Sequence, residues 1–315
     1  MNGSLKVAFL LLSVSVVMLP QSAIPPTLVE GVLSDTELGF RYTPPPDVQR
    51  IAKTMAMLEF SGQPRSYLGF DRNEYPGDEN LNELRKTFDY TGYWLNSPPG
   101  ASANTWIGKR ARLQRAGFGF LALFNGRLYS ELKTIGTAAK LGNADAQSAV
   151  VAARREGFPD GTIVFLDQEQ GGRMLPEQKA YLSAWVDGVS KSGLRAGIYC
   201  SGIPAKEGNN SRVITAQDIR QNAGNRQITY WVTNDACPPA PGCATTRPPS
   251  PGLSGITFAD VWQYAQSPQR KDVAGSCSGY SADGDCYARG SGEHRIDVDL
   301  NAATSADPSH GRSRE

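Results

Sequence analysis

One unit recurs through most of this chain: a short apolar run rich in β-branched and aromatic residues, a polar loop, usually an amphipathic stretch, then glycine and another apolar run. Eight runs can be read: YLGFD (67–71), YTGYWL (90–95), FGFLALFNG (118–126), TIVFLDQE (162–169), RAGIYCS (195–201), QITYWVTND (227–235), FADVWQYAQ (258–266) and RIDVDLN (295–301). The stretches between them carry helical signatures. In 176–192, Tyr181, Leu182, Trp185, Val186 and Val189 share one helical face, with Pro176 near the start and Gly193 as the stop. Thr215 and Asp218 read as a capping box opening a helix that Gly224 closes, while 144–156 ends at Gly157 and 106–116 at Gly117. Alternating strand and helix implies parallel strands buried on both faces. Eight units favour a closed barrel over an open doubly wound sheet, whose phosphate-binding glycine loop is also missing after the first run. The predicted fold is an α/β, (β/α)8 TIM-like barrel, irregular in its last two units because 237–255 and 266–293 look like loops.

The barrel is expected to span 67–304. Ahead of it, 1–23 has a basic start, an apolar run (7–19) and the small pair Ser22-Ala23, the profile of a signal peptide. That run is shorter than the ~20 residues a membrane span requires, so the expected location is secreted or periplasmic, with no stable membrane anchor once the leader is removed. Residues 24–66, rich in proline, read as a linker or wrap, and 305–315, nearly free of apolar residues, as a disordered tail.

With 32 basic and 31 acidic residues, no global field favours nucleic acid. In an exported chain cysteines are more often disulfides than metal ligands, and the simplest pairing joins Cys237 to Cys243 and Cys277 to Cys286 across two short loops. Cys200 is then left over as a buried thiol. The histidines are His294 and His310, which gives neither a Cys/His nucleophile nor a zinc site support, and no cofactor or metal is expected; an oxygen-only cation site among the acids is the weaker reading.

In a parallel barrel the catalytic groups lie where strands end at their carboxyl side. The polar residues there are Asp71, Asn125, Asp167, Glu169, Tyr199, Asn234 or Asp235, Gln263, Asp297 and Asp299. The strongest signal is V-F-L-D-Q-E. Side chains at i and i+2 of a strand share a face, about 6.6 Å apart along the backbone, so Asp167 and Glu169 project into one site. Two crowded, desolvated carboxylates raise the pKa of one member, which supplies a proton donor beside an ionised neighbour, as glycosidic cleavage requires. The alternative is a solvated strand end or an ion pair with Arg173. Trp94, Tyr199, Tyr230, Trp231, Trp262 and Tyr264 fit core filling or sugar stacking equally well, and Asn209-Asn210-Ser211 matches a glycosylation sequon that matters only in a eukaryotic host.

GFD in the first run, FLDQE in the fourth, YW in the sixth, VWQYA in the seventh and DVDLN in the eighth together resemble the secreted glycoside-hydrolase-like domain of unknown function related to Chalaropsis-type lysozymes. That resemblance covers about 67–301. It implies a barrel with Glu169 as general acid, Asp167 as partner, Asp71 as the first-strand acid and Asp299 as the last, with Asp297 as the extra candidate. Tyr199, Trp231, Gln263 and Asp297 are expected to bind substrate. The implied ligand is a polysaccharide carrying N-acetyl groups, peptidoglycan foremost, and the alternative function is a catalytically degenerate barrel that binds cell-wall glycans. Arg72-Asn73-Glu74-Tyr75-Pro76 departs from the small polar stretch that follows the first acid in such lysozymes.

Overall fold

The computed structural model describes residues 65–235, 245, 247–266 and 286–313. The expected signal peptide, the proline-rich segment and Cys237, Cys243 and Cys277 lie outside them. Eight strands close a barrel in the spatial order β1-β12-β9-β8-β5-β4-β3-β2. They are β1 (Tyr67–Asp71), β2 (Tyr90–Trp94), β3 (Gly119–Asn125), β4 (Ile163–Gln168), β5 (Arg195–Ser201), β8 (Thr229–Thr233), β9 (Val261–Ala265) and β12 (Asp299–Ala303). Two antiparallel hairpins sit outside it, β6 (Ala205–Glu207) with β7 (Ser211–Val213), and β10 (Tyr287–Arg289) with β11 (Arg295–Asp297). The helices are α1 (Leu81–Leu84), α2 (Arg110–Arg115), α3 (Tyr129–Leu132), α4 (Ile135–Arg155), α5 (Pro176–Ser190) and α6 (Thr215–Asn222). Among the described residues no helix is long and apolar enough to cross a membrane.

The strands form where apolar runs can be buried on both faces: β2 and β4 are buried at every position. Inside, Phe165 and Tyr199 pack edge-on against Trp231, with ring centroids 5.7 and 4.8 Å away. Outside, α5 buries the predicted stripe of Tyr181, Leu182, Trp185, Val186 and Val189. The last two connections are irregular as expected, with a short 3-10 turn at Pro251–Ser254 and the β10–β11 hairpin in place of regular helices among the described residues.

Three expectations are corrected. The 295–301 run is not one parallel strand. Its first part is β11, and β12 then enters the barrel antiparallel to both β1 and β9. A parallel strand needs a crossover that carries the chain back to the far end; among the described residues a hairpin precedes β12 instead, so the strand begins on the rim where the others finish. Nor are residues 305–313 disordered. Ser309 is fully buried at the amino end of the barrel, where β3 and β4 splay apart: its N–H donates to the Phe120 carbonyl (2.8 Å), its carbonyl accepts from Ile163 N–H (2.7 Å) and its hydroxyl from Ala122 N–H (2.8 Å). Phe120 N–H also donates to Asp307 Oδ1 (2.9 Å), and the Arg312 guanidinium donates to the carbonyls of Gly117 and Phe118. Polar composition misled here because these residues bond to strand backbone rather than burying apolar side chains.

The third correction is at α6. Thr215 and Asp218 do not cap it, since the residue preceding the helix is Ile214. Thr215 Oγ1 instead accepts from Gly172 N–H (2.8 Å) and Asp218 accepts from Met174 N–H (2.9 Å), which ties down the loop after β4. Arg173 joins the same anchor by pairing with Asp218 (3.1 Å) and Glu207. It is thereby engaged away from Asp167 and Glu169.

Candidate active site

Asp71 closes β1 and Asp299 opens β12, and the two are register partners across the antiparallel pair. The reversed final strand thus delivers an acid to the same rim as the ends of β1 and β4. Asp71 is 7 % exposed. It fits there because β2 carries glycine opposite: a Cβ on Gly92 would lie 2.7 Å from that of Asp71. Its Oδ1 accepts from Asn301 Nδ2 (2.6 Å) and Gln263 Nε2 (3.1 Å). The same Gln263 amide donates to Asp299 Oδ2 (3.2 Å), so its two hydrogens serve two acids. Asn301 accepts from Trp231 Nε1 (2.9 Å), and Gln263 Oε1 accepts from the Tyr199 hydroxyl (2.7 Å) and from Gln266 Nε2 (3.0 Å). Burial, opposed by these donors, raises the Asp71 carboxyl to about 6.

Asp167 lies one residue before the end of β4, 5 % exposed, and its Oδ1 has no hydrogen-bond partner. Burial first, then the charges of Glu169 and Asp71, push its carboxyl well above the carboxylate range. Glu169 follows β4 and opens into a cleft of about 540 Å³ together with Arg72, Asn73, Glu74, Gln266, Asp297 and Asp299. Partial burial raises its pKa as well. A protonated carboxyl at the cleft wall can donate to a leaving oxygen, while the deeper one supplies an oriented polar group beneath it.

The sequence-predicted residues therefore divide. Asp71, Asp167, Glu169, Asp297 and Asp299 gather on one rim. Trp231 and Gln263 are fully buried and Tyr199 nearly so, so these three hold the acids in place and offer no free face for stacking. Trp94, Tyr230, Trp262 and Tyr264 are buried too. Asn125 ties the β3 end to Ser97 through its amide (3.0 Å), and Asn234 is committed to the Ser254 carbonyl (2.8 Å). Sequence reasoning missed Asn301 and Gln266. A lone amide inside the apolar run DLNAA was the signal for the first, while Gln266 lies just past its strand and carried none. Cys200 is a buried free thiol, as expected, and Cys286 is disulfide-bonded to a partner outside the described residues.

Residues 96–249 match the Rv2525c-like, glycoside hydrolase-like domain. The resemblance read from FLDQE and its companions is borne out by that match, and the fold is the TIM-like barrel expected of it. The matched segment contains Asp167 and Glu169. Among solved structures, the chain is similar to an uncharacterised B. stearothermophilus protein at 20 % identity, covering 75 % of this chain and 95 % of that one, with a TM-score of 0.46. It is similar to the Clostridium perfringens spore cortex lytic enzyme SleM at 18 % identity, covering 77 % and 69 %, with a TM-score of 0.46. For the Mycobacterium tuberculosis Tat-secreted protein Rv2525c in complex with HEPES the values are 14 %, 79 % and 98 %, with a TM-score of 0.45. No curated protein matches.

Proposed function

We propose that this protein is a secreted glycoside hydrolase that cleaves an N-acetylated cell-wall polysaccharide, peptidoglycan foremost, with Glu169 as general acid and Asp167 as its partner. The observation that carries this reading is the pairing of an accessible carboxyl on the cleft wall with a buried carboxyl that has an oxygen left unpartnered. In the reaction, Glu169 passes its proton to the glycosidic oxygen as the bond to the anomeric carbon breaks; a water oxygen bonds to that carbon in its place, and the proton the water releases restores the Glu169 carboxyl. Asp167, whose carboxyl burial pushes well above the carboxylate range, is suited to orient the substrate's N-acetyl group through a hydrogen bond. Asp71 and Asp299, held by Gln263, set a negative potential where positive charge builds on the sugar. Export rests on the basic and apolar start of the chain.

The test is release of reducing ends from purified peptidoglycan and chitin oligomers by the wild type, Glu169→Gln and Asp167→Asn. A loss of at least ~10²-fold in Glu169→Gln supports the assignment, since positioned general acids contribute about that much. No release from either polymer, with glycan binding that survives both substitutions, assigns the cleft to binding alone.

A further inference from the structure

The cleft around Glu169 is lined almost wholly by polar groups, with Val298 as its apolar member. A pyranose has hydroxyl edges and an apolar C–H face, and such a cleft satisfies the first while leaving the second without a partner. The aromatics at the strand ends cannot supply it, because they are buried. Among the described residues the exposed aromatic is Tyr129, 41 % accessible, and its backbone is tied to the residue that follows Glu169. The loop that carries it leaves the end of β3 next to β4, where Gly126 N–H donates to the Asp167 carbonyl (3.2 Å). The Tyr129 N–H then donates to Gln170 Oε1 (2.6 Å), and Gln170 is the residue after Glu169. Leu128 and Leu175 are also exposed, and Leu175 joins the group through Gln178, which accepts from Leu175 N–H (2.9 Å) and donates to Gln170 (3.4 Å). Three large apolar side chains are thus exposed on segments that Gln170 and Gln178 tie to the end of β4.

We infer that Tyr129, bracketed by Leu128 and Leu175, is the stacking platform for a sugar ring adjoining the scissile bond. This rests on the hydrolase reading for the identity of the ligand, but it concerns binding and can be measured without turnover. Dissociation constants for chitin oligomers and solubilised peptidoglycan strands are compared in Glu169→Gln, Glu169→Gln/Tyr129→Ala and Glu169→Gln/Tyr129→Trp. Loss of the ring weakens binding about tenfold and tryptophan restores it, as expected for aromatic stacking. In the catalytically intact background, Tyr129→Ala raises KM on the polymer and leaves kcat unchanged. Equal affinity of the Tyr129→Ala variant and its parent for both ligands overturns the platform. The two readings fail separately. Turnover that needs Glu169 with binding indifferent to Tyr129 removes the platform alone, whereas Tyr129-dependent binding without turnover in the wild type removes only the hydrolase.

Discussion

At its amino end the barrel is sealed: residues 305–313 lie against the splayed start of β3 and β4, where Asp307 and Ser309 bond to strand backbone and Arg312 to the carbonyls of Gly117 and Phe118 just before β3. At its carboxyl end the same strands deliver buried acids, one of which keeps an unpartnered oxygen. Polar side chains at the first end satisfy neighbours and stabilise, whereas those at the second are held against their own preference by a network of amides and ring donors. Barrels divide their labour in this way, with chemistry at one rim and stability at the other. The unsatisfied end is the one to question about activity.

Substitutions can break or sharpen this contrast. The largest effect expected is at the cleft, where Glu169→Gln lowers the rate of glycan cleavage by at least ~10²-fold while the melting temperature stays unchanged. A parallel fall in both would mean that the residue is structural. At the sealed end, deletion of 305–315 removes several backbone bonds at about 1 kcal/mol each, which amounts to a melting temperature lower by roughly 6–12 °C. An unaltered melting curve would show the seal to be dispensable.

Asp71 gives a pH-dependent version of the test. Burial raises its carboxyl from 3.8 to about 6. Between those values the native protein holds a proton that the unfolded chain has released, so stability falls as pH rises through this window and does not return above it. Asp71→Asn, whose oxygen can still accept from Asn301 and Gln263, should match the wild type below pH 4. It should gain on the order of 2–3 kcal/mol over it by pH 7, following the shift at 1.36 kcal/mol per unit. Urea unfolding across this range would reveal a constant gap if burial were not the cause. The smallest expected effects come from two glycines. Gly92→Ala presses on Asp71 and lowers kcat/KM about tenfold, by misplacing an acid. Gly119→Ala, which collides with the Ala306 carbonyl, costs about 1–3 kcal/mol of stability and leaves kcat/KM of the folded protein alone.

Much of the scaffold was legible because a strand buried on both faces has few sequence solutions: the ranges of β1 and β5 coincide with the runs YLGFD and RAGIYCS. Direction is not legible, since an apolar run reads alike whichever way it threads a barrel, and the pattern alone predicts a parallel β12. The acids Asp71, Asp167 and Glu169 stood out because charge at the end of an apolar strand is costly unless it is used or paired. Asp299 reads in the sequence as a residue late in a parallel strand, whereas it is the first of an antiparallel one. Trp231 and Tyr199 were legible as important but not as buried, because aromatic residues fill cores and bind sugars with the same side chains. Tyr129 carried no signal at all: its value comes from where the loop after β3 places it.

The seat of Ser309 between β3 and β4 also bears on when the molecule can fold. One of the hydrogen bonds that fill the gap joins residues 187 positions apart, and β1 stays unpaired on one side until β12 has been made. During synthesis the first strands therefore wait with open edges for the last few dozen residues. Contacts this distant in sequence make folding slow and the waiting strands prone to pair with other chains, and truncation near the C-terminus would leave a barrel that can start but not close.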